Sequence, residues 1–289
     1  MTQTTGCIAT VLRAVYTRFK WAASLFKQET SVCSPYRWVN GLTQRCCLAA
    51  CVLVAAGHAV AQGVALPPFS ASNSAVPPAP WRIAGLPSRG KATAPVTRFD
   101  ITPIDNQKVL RVQTDSSYGN LVHALPGIHL AEKTQLRWSW RLDQPLINAD
   151  LRRRRSDDSP LKVCLLFNMP LASLGLVDRS VLSFARSISG ENLPSATLCY
   201  VWDHRLPVGT VINNAYTSRV RMLVLGSGDS RLGQWVTHQR DVAADFKQAF
   251  GRENGSDGLP ALDGVLVGAD SDSAGGQSLA YVGDITLGQ

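Results

Sequence analysis

The chain has 289 residues and is 45% hydrophobic, enough for one large domain or two small ones with a core of their own. Its formal net charge is +8, yet residues 1–61 hold six basic residues against Glu29 alone, so the rest carries 23 basic and 20 acidic residues. So small an excess argues against a phosphate-backbone partner, and no nucleic acid is expected.

In chain order, the first feature is a leader. Gln44 to Ala56 is a charged start followed by an apolar run too short for a stop-transfer helix, and Ala59-Val60-Ala61 supplies a small-x-small cleavage pattern. Cleavage before Gln62 is predicted, which makes residues 1–61 a leader with a signal peptide. The mature chain is then periplasmic or secreted, with no membrane span. Leu48-Ala49-Ala50-Cys51 resembles a lipoprotein box, but too little apolar sequence separates Arg45 from Cys51. Five cysteines precede the cut, leaving Cys164 and Cys199. In an oxidising compartment these two form one disulfide or stay as two buried thiols.

Residues 62–95 are rich in Pro, Ser and Ala and are expected to form an extended lead-in. A single domain is predicted over residues 96–289. Its dominant signal is period-two alternation in short runs broken by Gly, Pro, Asn and Asp, the pattern of antiparallel strands. Lys108 to Gln113 and Asn120 to Leu125, separated by Ser-Ser-Tyr-Gly, read as a hairpin or neighbouring strands. Leu136 to Leu142 is the clearest strand, with Leu136, Trp138, Trp140 and Leu142 on one face and Arg137, Ser139 and Arg141 on the other. Lys162 to Phe167, Thr197 to Trp202, Arg219 to Leu225, Leu262 to Val267 and Ala280 to Leu287 complete the set. One helix is predicted from Val242 to Phe250, with Asp241 as N-cap, Gly251 as stop, and Val242, Phe246, Ala249 and Phe250 on its apolar face. The fold class is all-β, a jelly-roll-type sandwich of the galactose-binding or lectin-like kind with one short helix.

The motif order Leu-Arg-Trp-Ser-Trp-Arg-Leu-Asp (136 to 143), Asp157-Asp158, Leu198-Cys199-Tyr200-Val201-Trp202, Gly233-Gln234-Trp235, Arg240-Asp241-Val242, Asp270-x-Asp272 and Gly283-Asp284-Ile285 resembles a bacterial family catalogued as a domain of unknown function, number 3047. The resemblance spans nearly the whole mature chain and implies an exported protein without naming an activity. Relative to the family pattern, Lys162 stands in place of an arginine and Ser273 in place of a threonine. The ending is also similar to the last strand of galactose-binding jelly rolls and carbohydrate-binding modules, an analogy of fold only.

Three functions are open to such a chain. The first is binding of a carbohydrate or another cell-envelope component on a polar sheet face, with Arg137, Arg141, Asp158, Lys162, Trp202, Asp203 and Arg221 as ligand-binding candidates. Guanidinium forks suit carboxylates and aromatic faces suit sugar rings. The second is a polysaccharide hydrolase that uses two of Asp158, Asp203, Asp270 and Asp284 as acid and base. The third is a structural envelope protein. Asp270 and Asp272, with Asp284, read first as a solvated turn whose carboxylates bond backbone amides; their hard oxygens leave a structural calcium as the one ion open to them, and no cofactor is expected. Gly226-Ser227-Gly228-Asp229-Ser230 has the look of a serine-hydrolase block, but no Asp-x-x-His follows to supply the base. His123, His129, His204 and His238 show no metal-ligand spacing.

Overall fold

The computed structural model describes residues 64–84, 95–189, 193–254 and 258–289; the leader predicted over residues 1–61 lies outside them. Among the described residues thirteen strands form two sheets: β1 (Arg82–Ala84), β2 (Arg98–Ile104), β3 (Gln107–Asp115), β4 (Tyr118–Ile128), β5 (Gln135–Gln144), β6 (Lys162–Asn168), β7 (Ala196–Asp203), β8 (Val211–Asn213), β9 (Val220–Ser227), β10 (Val236–Asp241), β11 (Ala261–Asp270), β12 (Gln277–Val282) and β13 (Thr286–Gly288). Seven strands run in the order β1-β4-β11-β6-β7-β9-β8, and the second sheet runs β10-β5-β12-β3-β2 with β13 also beside β5. All pairings are antiparallel except β7 with β9. This is the expected β-sandwich.

Its core follows from the alternation of β5. Leu136, Trp138, Trp140 and Leu142 are at most 2% exposed, while Arg137, Ser139 and Arg141 alternate with them on the outer face. Trp138 packs on Tyr200 and Trp140 on Trp202, so β5 of one sheet meets β7 of the other through large aromatic faces. Gly226 lies under the Trp202 indole, where a Cβ has no room. Strands β6 and β7 are buried along nearly their whole length, which explains why their sequences are apolar runs rather than alternating ones. Cys164 and Cys199 are register partners on these strands and form a disulfide, which decides between the two alternatives open for them.

Helix α2 (Val242–Phe250) has the predicted caps: the Asp241 carboxylate accepts from the Ala244 N–H at 2.9 Å, and Gly251 leaves the helix at φ +56°. The predicted apolar face of α2 is buried, with Phe246 against Phe167. A second helix, α1 (Leu176–Ser189), was not foreseen. No helix among the described residues is long and apolar enough to cross a membrane.

Three local expectations change. β3 and β4 do not pair; they lie in different sheets, and Ser116, with φ +46°, turns the chain from one to the other. The true hairpin is β2–β3, whose two-residue turn places Asp105 and Asn106 at positive φ, as the right-handed twist of paired strands favours. The predicted strand from Ala280 to Leu287 is interrupted, since β12 stops at Val282 and β13 begins at Thr286. The Pro-rich segment ahead of residue 96 also takes part in the fold: Phe69 and Trp81 are buried, and β1 pairs with β4.

Candidate functional site

The residues predicted to share one polar face divide between the two sheets. Arg137 and Arg141 stand on the outer face of the six-stranded sheet. Lys162, Trp202, Asp203 and Arg221 belong to the seven-stranded one. Trp202 is 1% exposed within the core and donates its indole N–H to the Gly228 carbonyl, so it offers no surface to a ligand. Asp203 accepts the N–H groups of Arg205 and Leu206, an Asx turn that closes the chain after β7. Arg221 pairs with Glu253, donates to the Ala249 carbonyl and lies over the Phe250 ring, which fastens α2 to β9. In the loop between β5 and β6, Arg152 and Arg153 pair with Asp150.

The loop aspartates do converge, with a different third member. One oxygen from each of Asp158, Asp270 and Asp272 lies within 4.8 Å of the others, whereas Asp284 is elsewhere, accepting from the Ser70 N–H and hydroxyl at 2.9 and 2.5 Å. Asp270 is tied to Lys162 at 2.9 Å and to the Ser159 N–H at 2.8 Å. Asp158 accepts the N–H groups of Ser273 and Ala274. Lys162 reaches Asp270 by crossing Gly268, where its stem and the Asn120 side chain fill the space a Cβ would need. Ca²⁺ takes about six to eight oxygens, and Asp158 and Asp270 are already engaged by donors from the chain itself. The arrangement fits a buried clamp between the loop before β6 and the loop after β11 better than an ion cage. At 2% exposure, Asp158 is also closed to a polymeric substrate.

Burial, with Asp270 and Asp272 adding to it, pushes the Asp158 carboxyl up to about 6. Its pKa is therefore raised on folding, and the stabilisation that goes with its proton is complete below about 4 and lost as pH rises through 6. His238 moves the other way. Burial, aided by Arg240, lowers it to about 4, so its contribution is complete above about 6.5 and lost as pH falls towards 4. The two oppose each other across this window. Asp158→Asn is expected to be more stable than wild type at pH 7.5 and to lose that advantage towards pH 4, measured by thermal melts across the range. An advantage that does not change with pH would show that Asp158 titrates normally.

The outer face of the six-stranded sheet carries a different pattern. Register places Asp100, Arg111, Tyr281 and Arg141 side by side across β2, β3, β12 and β5, and Trp235 immediately precedes β10 at the end of this row. Arg111 grips Asp100 with two hydrogen bonds of 3.0 and 2.6 Å, and Arg141 grips Asp143 with two of 2.6 and 3.2 Å. Asp105 accepts from both Arg141 and the Trp235 indole, at 3.3 and 3.0 Å, which holds the aromatic in line with the row. Each carboxylate raises the pKa of its arginine, so the cations are permanent, and burial pushes the Tyr281 hydroxyl up. Arg141 was anticipated from the sequence; Arg111 and Tyr281 were not singled out, although both occupy outward positions of alternating strands.

At one end of this face is a pocket of about 300 Å³ lined by Ser70, Lys108, Arg137, Ser139, Thr237 and Asp284 among others. It exists because β12 stops at Val282, opposite Leu110 of β3 and Trp140 of β5. Beyond that point the chain runs through Gly283 and Asp284 before β13 pairs with β5, and Gly283 approaches Ser139 too closely for a side chain.

The family model described as a protein of unknown function, DUF3047, matches residues 79–286. The chain belongs to this family. A comparison with curated protein sequences finds no match. Among solved structures, this DUF3047 chain is similar at 12% identity and TM-score 0.36 to the xyloglucanase domain of NopAA from Sinorhizobium fredii, covering 72% of this chain and 97% of that one. It is similar at 9% identity and TM-score 0.36 to endoglucanase 3 of Trichoderma harzianum, with 73% and 98% covered. A further likeness, at 12% identity and TM-score 0.31, is to the glycoside hydrolase domain of Endo-D from Streptococcus pneumoniae, where 72% of this chain spans only 21% of the other. At these scores nothing about activity passes to the DUF3047 chain.

Proposed function

We propose that this is an exported protein that binds a carbohydrate of the cell envelope on the outer face of its six-stranded sheet. The observation that carries the proposal is the row Arg111, Tyr281, Arg141 and Trp235. Two guanidinium groups, each oriented by a carboxylate, flank a partly exposed tyrosine, with an indole fixed at the end. Planar donors held in place lose little freedom on meeting hydroxyls, and aromatic faces stack on the apolar side of sugar rings. The disulfide supports an oxidising compartment, in line with the predicted signal peptide.

The test is calorimetric titration of the chain with neutral and acidic envelope oligosaccharides. Tyr281→Ala is expected to weaken binding of whichever saccharide is bound by about tenfold, roughly 1.4 kcal/mol, while its melting temperature stays near wild type. Unchanged affinity in that variant, or no binding by wild type across the panel, would overturn the proposal.

A further inference from the structure

We infer that the Tyr281 row selects an uncharged saccharide chain that crosses the strands, with one ring on Tyr281 and another on Trp235, and excludes acidic chains. The inference rests on the saccharide-binding reading above and specifies the ligand class for it. Along and beside the row, three arginines (Arg98, Arg111, Arg141) meet three aspartates (Asp100, Asp105, Asp143). Arg111 holds Asp100 with two hydrogen bonds, and Arg98 reaches the same carboxylate at 3.2 Å. Arg141 holds Asp143 with two and Asp105 with a third. Each of these charges therefore has an opposite charge beside it, and the set sums to zero. Arg111 and Arg141 still have N–H groups that the carboxylates do not use, and the carboxylates still have lone pairs.

Donors and acceptors set side by side suit a hydroxyl, which accepts from an arginine N–H and gives its own proton to the neighbouring carboxylate. A sugar carboxylate only accepts. Entering the row, it meets carboxylates whose arginines are already matched, and like charges brought together at a binding surface keep the wrong partner out. Register sets the direction of the chain. Tyr281 is the partner of Arg141 on one side, and Val236 pairs with Trp140 on the other, so Trp235 stands opposite Arg141. The two aromatics are thus two strand spacings apart, about 10 Å. A single sugar ring does not cover both, so the bound chain runs across the strands rather than along them. Arg141 lies between the aromatics, where its remaining N–H groups face hydroxyls of either ring, and Arg111 stands one strand beyond Tyr281.

The experiment titrates the chain with oligogalacturonate, oligoglucuronate and oligomannuronate, each as a length series and each beside its carboxyl-reduced counterpart, the neutral galactan, glucan or mannan. Wild type, Asp143→Asn, Asp100→Asn and Trp235→Ala are compared. Wild type is expected to bind at least one neutral chain about tenfold more tightly than its acidic parent, and more tightly than the single sugar. Asp143→Asn and Asp100→Asn each tip the row to net positive and should shift the acidic-to-neutral affinity ratio towards the acidic chain by about tenfold. Trp235→Ala should remove most of the gain that comes with chain length. A wild-type protein that binds acidic chains as tightly as neutral ones, or more tightly, overturns this inference alone. So does a ratio that neither asparagine variant changes, or a single sugar bound as tightly as the longer chains. Binding to none of the chains removes the saccharide reading and this inference with it.

Discussion

Replacing Cys164 and Cys199 together by alanine is expected to lower the stability by about 4 kcal/mol and the melting temperature by roughly 10 °C. The bond closes a loop with a sequence separation of 35 residues that runs from the middle of β6 through α1 to the middle of β7. Cutting it returns that loop's freedom to the unfolded chain, a cost that grows with the logarithm of loop length. The native state loses little packing, because alanine keeps the Cβ and both positions are almost fully buried among Leu166, Val201 and Leu266 on a continuous sheet. Denaturant melts of the oxidised wild type and the double variant measure the difference directly. A loss under about 1 kcal/mol would mean that packing of β6 against β7 already restrains the loop in the unfolded ensemble.

The sandwich was legible where burial is one-sided. β5 alternates cleanly because one face meets the core and the other meets solvent, and the caps of α2 are written in Asp241 and Gly251. Partnership was not legible. The turn at Ser116 looks like any tight turn, and nothing local says that β3 and β4 leave it for different sheets. α1 was hidden by its serines and β-branched valines, which weaken helix propensity, although Val181, Ala185 and Ile188 repeat at helical spacing. The break after Val282 was invisible because Ile285 and Leu287 continue the alternation across it. The site residues suffered most. Arg137 and Lys162 are equally polar residues on equally strand-like runs, and only sheet topology puts one on an outer face and the other in a buried clamp. Asp158 joins Asp270 and Asp272 through the fold, while Asp284, nearer in sequence, faces the pocket.

Lys162→Met tests that clamp, with an expected loss of about 3–5 kcal/mol. The Lys162 side chain is 6% exposed and that of Asp270 14%, so removing the ammonium leaves a carboxylate largely shut off from water beside two others. Methionine keeps the length and the apolar stem over Gly268, so most of the loss is electrostatic rather than a cavity. Two further measurements separate this from a simple packing defect. Lys162→Met/Asp270→Asn should recover most of the stability, since deleting both charges removes the unpaired one; a double variant no better than the single would locate the loss in packing. The deficit of Lys162→Met should also be largest near pH 7.5 and shrink on acidification. Asp158, already raised to about 6 by burial and its two acidic neighbours, then takes up a proton and relieves the repulsion that the missing ammonium had balanced. A deficit constant from pH 7.5 to 4.5 would show that Lys162 does not neutralise the cluster.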